Sequence, residues 1–283
     1  MYIAKLMYHK WEEEPISMTK SGFAGTFAIF FYCCNMKCVY CQNSKISHVP
    51  FPGSQCSPLR LGASSPLRSG SYNSPIQFVC TADELSDEMI QAEKNNAASI
   101  SFITGVLYVD EIVKTIRLAK EKGLKIPIVY NSSGYETVSQ IKKLDGLIDI
   151  YLPDFKYFDN ELGKLYSKVP NYTDIAKLSI EEMYRQVGSK MIVRHLVLPG
   201  HTENAKKIIK YLYDTYGDNI YLSIMSQYTP MPDNKGLSAF PNLQRKLTKR
   251  EYEKVLNYAI ELGVKNAYFQ EGDVAKESFI PNF

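Results

Sequence analysis

The sequence predicts an α/β fold built around a parallel sheet, and three observations carry that expectation. Short apolar runs of strand length alternate with segments of helical period six or more times, which implies parallel strands joined by crossover helices. The chain has 283 residues, 45% of them hydrophobic, enough to bury one large core. Polar and charged residues gather where the strand-like runs end, while the runs themselves carry few. Alternation alone leaves two closures open, a doubly wound sheet or a barrel. No internal repeat and no second domain boundary is visible, so residues 1–283 read as a single domain.

Taken in order, residues 1–22 are mixed and polar with little periodicity, and read as an N-terminal arm beside the first strand. Residues 26–32 are apolar and aromatic and form that strand. Residues 49–80 are rich in Ser, Pro and Gly, with Arg60 and Arg68 but no acid. Such composition cannot bury a helix face, so this segment reads as an irregular insertion or disordered loop. A lid over a site, an ornamental insertion and a frame-shifted stretch all remain open there, and Cys56 and Cys80 receive no role. Order resumes at Thr81, which with Glu84 makes a capping box ahead of Leu85, Met89 and Ala92. Residues 99–104 read as a strand. Asp110 is expected to cap a helix carrying Ile112, Val113, Ile116 and Ala119, ended by Gly123. A strand at 126–130 is followed by a helical face at Val138, Ile141 and Leu144. Pro153 stops a strand at 147–152. Gly188 ends a helix at 173–187. Residues 191–198 form a strand before Pro199 and Gly200, and Ala205, Ile208, Ile209 and Leu212 mark the next helix. A strand at 220–225, a helix opened by the Thr248 and Glu251 box, and a short strand at 267–270 complete the chain.

Several function classes fall away on composition. The net charge of +3 is too small to argue for nucleic acid or a membrane surface. The longest apolar run, residues 23–34, is too short and too interrupted to cross a bilayer. Glu12, Glu13 and Glu14 stand early, with no long apolar stretch of a signal peptide beside them, so a cytoplasmic protein is expected. Cys33, Cys34, Cys38 and Cys41 crowd into one stretch, unlike the spread of a secreted disulfide framework.

Chemistry concentrates after the first strand. Cys34, Cys38 and Cys41 stand in a C-x3-C-x2-C arrangement, so three thiolates can fold around one compact inorganic centre. A cubane 4Fe–4S cluster usually takes four Cys ligands, and three would leave one iron open to a reacting molecule. Zinc competes, but a structural zinc site closes with four ligands, and the nearby fourth candidates are Cys33 and His48. Cys33 also reads as a small buried hydrophobe. The other strand ends contribute Thr104, Asn131, Ser132, Ser133, Gly134, Asp154, Lys156, Gln227 and Tyr228. Asp154 and Lys156 have a blander reading as a surface ion pair. Arg194 and His195 point to opposite faces of their strand. Arg194 is a candidate carboxylate clamp, His195 reads as a satisfied structural histidine, and His201 as a solvated loop residue.

The stretch from Gly22 to Phe31, the cysteine triplet, and Gln42-Asn43-Ser44-Lys45-Ile46-Ser47 together resemble the radical S-adenosylmethionine (SAM) superfamily. The branch they resemble is that of the pyruvate formate-lyase activating enzymes. Ile126-Pro127-Ile128-Val129-Tyr130-Asn131, Asp149-Ile150-Tyr151-Leu152-Pro153-Asp154-Phe155-Lys156-Tyr157 and Val193-Arg194-His195-Leu196-Val197-Leu198-Pro199-Gly200 look like further blocks of that family. The likeness covers most of the chain outside 49–80. It implies a partial (β/α)6 barrel of the radical SAM type, interrupted by the Ser/Pro-rich insertion. It implies that Cys34, Cys38 and Cys41 ligate a 4Fe–4S cluster, with Tyr40 beside the adenine of S-adenosylmethionine. Asn131, Asp154, Lys156 and Gln227 would surround the rest of that cofactor. The implied activity is reductive cleavage of S-adenosylmethionine to a 5′-deoxyadenosyl radical that abstracts hydrogen. The implied partners are a glycyl radical enzyme as substrate and a flavodoxin- or ferredoxin-type electron donor, with no nucleic acid and no membrane. Two other readings stay open: the same radical chemistry on a small molecule or peptide, and an inactive iron–sulfur binding protein. The chain departs from the family where Thr104-Gly105-Val106-Leu107 replaces a polar Thr-Pro-Thr-His run. It departs again where Ala97-Ala98-Ser99-Ile100-Ser101 replaces a Gly-Ala-x-Asn-Ile-Asn pattern. In the family this region holds the methionine amino group.

Overall fold

The structure, a computed structural model, describes residues 1–270 apart from 11, 20–21, 50–58, 61–77, 232–233 and 235. In chain order its elements are β1 (Tyr2–His9), α1 (Glu14–Ser17), β2 (Met18–Thr19), β3 (Gly22–Phe23), β4 (Thr26–Phe31), α2 (Ser44–Ser47), β5 (Leu59–Arg60) and β6 (Phe78–Val79). Then follow α3 (Ala82–Lys94), β7 (Ser99–Ile103), α4 (Val109–Glu121), β8 (Ile128–Ser132), α5 (Val138–Lys142), β9 (Ile150–Pro153), α6 (Asn160–Ser167) and α7 (Tyr172–Val187). The last are β10 (Ile192–Leu196), α8 (Thr202–Tyr216), β11 (Tyr221–Met225), α9 (Lys249–Leu262) and β12 (Ala267–Phe269).

Strands β4, β7, β8 and β9 run parallel and adjacent, and β10, β11 and β12 form a second parallel arc. The arcs meet between β9 and β10 through the isolated pairings Tyr151 with Met191 and Asp154 with Arg194. Phe30 on β4 and Tyr268 on β12 line one cavity, so the strands curl around it as a partial barrel. This settles the closure that alternation left open.

The strands β4, β7, β8 and β9 are buried on both faces almost throughout, which is why their runs are so apolar. On β4, Phe27, Ile29 and Phe31 face the outer layer with Leu85, Met89, Ile112 and Ile116 of α3 and α4. Ala28 and Phe30 turn the other way, with Ile103. Inside the lower barrel, Val129, Ile150, Leu152 and Ile192 close around Ile16 of α1. Ser99 fixes that plug by donating its hydroxyl to the Ile16 carbonyl at 2.7 Å.

Three elements differ from the sequence expectation. Residues 1–22 are more than an arm: β1 pairs antiparallel with β4 and with β6. A register shift between Ile3 and Lys5 lets both Ile3 and Leu6 reach the outer core while Ala4 faces the inner one. Such a bulge breaks the two-residue period that marks a strand in sequence. Asp110 does not cap α4; the chain enters that helix from a 3₁₀ turn at Gly105–Tyr108, and Asp110 sits in the first turn. Helix α6 was not anticipated. The reading of 49–80 as an irregular insertion falls mostly outside the described residues. Within it, β5 and β6 pair parallel to each other.

Candidate active site

The cysteine loop leaves the C-terminal end of β4, the end of a parallel sheet where ligands bind. Cys33 turns the chain with φ of 68° and buries its side chain beside Ala4, Phe30 and Ile46, away from the cavity. The backbone N–H groups of Lys37 and Val39 donate to the carbonyls of Ser167 and Tyr166, at 2.9 and 2.8 Å. The last turn of a helix has unpaired carbonyls, so α6 and the loop satisfy each other. Lys37 Nζ donates to Ser47 O at 2.7 Å and Asn35 Nδ2 to Tyr135 O at 2.7 Å. Asn234 Nδ2 holds the Cys41 carbonyl at 2.9 Å. The loop is thereby fixed at both ends and in the middle.

Cys34, Cys38 and Cys41 line a cavity of about 590 Å³. Each sulfur has one short polar neighbour. The Met36 N–H donates to Cys34 Sγ at 3.4 Å, the Ser167 hydroxyl donates to Cys38 Sγ at 3.0 Å, and Cys41 Sγ lies 3.2 Å from Ser47 Oγ. Burial pushes the Cys34 thiol up to about 12 and the Cys38 thiol up to about 11, and raises Cys41 as well. The Lys156 ammonium opposes burial at all three. Without metal these groups are protonated thiols, and loading a metal releases their protons.

Among the described residues, no three His, Cys, Asp or Glu side chains gather as ligands around a single ion. A cubane presents a different iron to each thiolate, so it accepts more widely spaced sulfurs than a lone zinc does. Three cavity-facing sulfurs from one anchored loop, each with a polar neighbour, are a donor set that fits a 4Fe–4S cluster bound through three irons.

The remaining sequence candidates meet these sulfurs. Tyr40, Asn131, Asp154, Lys156 and Gln227 all line the same cavity, although they come from widely separated parts of the chain. Lys156 Nζ pairs with Asp154 Oδ2, with both side chains three-quarters or more buried, so this is no surface ion pair. Burial alone would depress the Lys156 ammonium, but Asp154 and then Cys38 hold it above its ordinary value. Gln227 Oε1 accepts from Gln270 Nε2 at 3.0 Å. Where the family's polar run is replaced, Gly105, Val106 and Tyr108 are buried in the 3₁₀ turn and only Thr104 reaches the cavity.

Arg194 does clamp carboxylates, but they belong to its own chain. Its guanidinium reaches Glu12 and Glu13, with Nε 2.9 Å from Glu13 Oε1, on the lower wall of the cavity. Burial would raise the Glu12 carboxyl, but Arg194 and then His9 hold it well below its ordinary value. His195 is satisfied on one side only: Nδ1 lies 2.7 Å from Phe155 O, while Nε2 is buried without a partner. His201 is half-buried rather than solvated, with Nε2 2.9 Å from Tyr166 Oη and 3.0 Å from Asn242 Nδ2.

Sequence reasoning missed a group behind Asn131. Ser132 donates to Glu136 Oε2 at 2.5 Å and accepts the Gly134 N–H at 2.8 Å. Gly134 has φ of 75°, and a Cβ there would stand 2.3 Å from the Asp154 carbonyl. Only glycine allows that approach. No sequence pattern announces the burial of Glu136, though the positive-φ glycine beside a strand end was visible.

Residues 28–212 match the family model described as the radical SAM superfamily. The chain is 33% identical over 236 residues to an uncharacterized protein of Methanocaldococcus jannaschii, an alignment covering 82% of this chain and 61% of that relative. It therefore spans less than two thirds of the curated relative's length. Among solved structures it resembles a radical SAM methyltransferase from Sphaerobacter thermophilus at a TM-score of 0.56 and 13% identity, covering 89% of this chain and 71% of that one. It also resembles SuiB from Streptococcus suis at 0.55 and 14% identity, covering 89% and 50%. At such identities the two likenesses speak for the fold alone. With a family match that spans the cysteine loop and five of the parallel strands, this chain belongs to the radical SAM superfamily, whose members bind a 4Fe–4S cluster and S-adenosylmethionine.

Proposed function

We propose that Cys34, Cys38 and Cys41 hold the cluster and that Tyr40, Asn131, Asp154, Lys156 and Gln227 hold S-adenosylmethionine. The observation that carries this reading is that all of them line one cavity at the C-terminal end of the barrel strands. When bound, the reduced cluster and the cofactor supply a 5′-deoxyadenosyl radical for hydrogen abstraction. The protein's own part is to bind, orient and keep water out. The Lys156 ammonium favours the thiolate forms that ligation requires. Asp154 keeps that ammonium in place and charged. The plug at Ile16 closes the lumen from below. The substrate in this reading is a backbone glycine of a partner enzyme, which would become a glycyl radical, with a flavodoxin- or ferredoxin-type protein as electron donor. The sequence blocks shared with pyruvate formate-lyase activating enzymes support that finer assignment.

Anaerobic reconstitution with iron and sulfide, followed by reduction and assay for 5′-deoxyadenosine, tests the reading. The native chain should hold a cluster and form 5′-deoxyadenosine. Single Cys34→Ala, Cys38→Ala and Cys41→Ala variants should lose both, to background. A native chain with an intact cluster and no 5′-deoxyadenosine would instead be an inactive binding protein. Cleavage accompanied by a glycyl electron-spin signal in a candidate partner would support the finer assignment. Cleavage without that signal, across candidate partners, would favour a small-molecule or peptide substrate.

A further inference from the structure

Behind Cys38 lies a chain of buried hydroxyls. Ser167 Oγ is 3.0 Å from Cys38 Sγ, Tyr157 Oη is 2.6 Å from Ser167 Oγ, and Tyr40 Oη is 2.6 Å from Tyr157 Oη. Ser167 and Tyr157 are fully buried, and Tyr40 is 7% exposed. Each hydroxyl has a single proton to give. A thiolate at Cys38 has none and can only accept. Once that sulfur is a metal ligand, the proton order in the chain is fixed: Ser167 donates to Cys38, Tyr157 to Ser167, and Tyr40 to Tyr157. Donors aligned in series polarise one another in a dry interior.

Resting on the proposed cluster site, we propose that Tyr40, Tyr157 and Ser167 form a one-way donor relay that raises the cluster's reduction potential through Cys38. Reduction adds negative charge to the cluster and its sulfurs, and a hydrogen bond to a ligating sulfur favours the more electron-rich state. Among the described residues, Cys34 and Cys41 have no comparable relay. At Cys34 the Met36 N–H donates, and Asn35 Oδ1 at 3.7 Å can only accept; at Cys41 the donors are the Ser47 hydroxyl at 3.2 Å and the Asn43 N–H, each a single contact rather than a series. Among the described residues, Cys38 is thus the sulfur backed by hydroxyl donors in series, and the relay acts through it. The relay also explains the placement of α6. Its last residue supplies both the carbonyl that holds the Lys37 N–H and the hydroxyl that reaches the sulfur. Ser167 and Tyr157 are positioning residues here, since they act on the cluster only through Cys38.

The test is a potentiometric titration of the reconstituted full chain, without S-adenosylmethionine, followed by the electron-spin signal of the reduced cluster. Ser167→Ala should lower the midpoint potential, so that the reduced-to-oxidised ratio at a fixed solution potential falls severalfold. A tenfold fall corresponds to about 59 mV for a one-electron couple. Tyr157→Phe should shift it in the same direction by less, Tyr40→Phe by less again, and Ser167→Thr should restore the native value. A cluster of unchanged potential in Ser167→Ala overturns the proposal. Should Ser167→Ala fail to assemble a cluster, Tyr157→Phe decides, because it removes one oxygen and leaves the loop contacts of α6 in place: an unchanged potential there overturns the relay equally. Failure of the native chain itself to assemble a 4Fe–4S cluster would overturn the cluster site, an outcome distinct from a cluster that assembles but ignores the relay.

Discussion

Glu136 is 2% exposed and has one strong partner, the Ser132 hydroxyl. Burial pushes its carboxyl up to about 7 against the pull of that hydrogen bond. A folded-state value above the unfolded one means the native protein holds its proton more tightly. The associated stability is whole below about 4.5 and is lost as pH rises through about 7. The loss above neutrality is on the order of 1–3 kcal/mol. Glu136→Gln removes the titration while keeping an acceptor for Ser132. Urea unfolding should show the variant close to the parent at pH 5 and more stable than it by that amount at pH 8. Nothing in the order of residues from 131 to 137 marks this glutamate as buried. Beside the local Ser132, the charges that act on it are Asp154 and Lys156, which follow β9 and which local pattern does not bring near. Cys34, Cys38 and Cys41 were legible for the opposite reason: cysteines gathered in one loop, here proposed to hold one compact centre, leave their placement in the spacing.

Two helix starts were marked in the sequence by reciprocal caps. Thr81 with Glu84 and Thr248 with Glu251 form capping boxes at the starts that the sequence indicated. Thr137 with Gln140 makes a third, at the start of the helix whose face Val138, Ile141 and Leu144 mark. By contrast α6 is eight residues long and has a glycine at its centre, which weakens any helical pattern. The reason for that glycine is packing. A Cβ on Gly163 would lie 2.6 Å from Tyr172 Cβ on α7. Because α6 carries Ser167 and grips the cysteine loop, the contact is felt at the site. Gly163→Ala should force the two helices apart and destabilise the fold by about 1–3 kcal/mol. Thermal unfolding would show this, together with poorer iron retention than in the parent. β1 was hidden by its bulge, since a strand that shifts register loses the alternation by which strands are recognised.

At the scale of the whole molecule, alternation of strands and helices gave the parallel sheet, and only three-dimensional contact gave its curl. The plug belongs to the same category: Ile16 and Glu12 are far in sequence from the strands they meet. Arg194 ties the plug segment to the barrel wall through two carboxylates, each at least nine-tenths buried. Arg194→Met leaves both carboxylates without their cation and should cost about 3–5 kcal/mol. The folded Glu12 carboxyl is depressed, so its contribution is present above the ordinary carboxylate range and lost as pH falls. The deficit of the variant should therefore be largest near neutrality and narrow as pH falls from 4.5 through about 2, as chemical unfolding at neutral and at strongly acidic pH would show.

The joint between β9 and β10 has a consequence of its own. Elsewhere the paired strands of the barrel wall are stitched by runs of three to five consecutive pairings, as between β11 and β12, β8 and β9 or β10 and β11. Here two isolated pairings do the same office, and one of them couples Asp154 to Arg194. Among the joined strands of the wall this line has the least ladder to unzip, so it is where one arc parts most cheaply from the other. Such an opening would tug at once on the aspartate beside the sulfurs and on the arginine that tethers the stopper, so mouth and floor would sense the same strain.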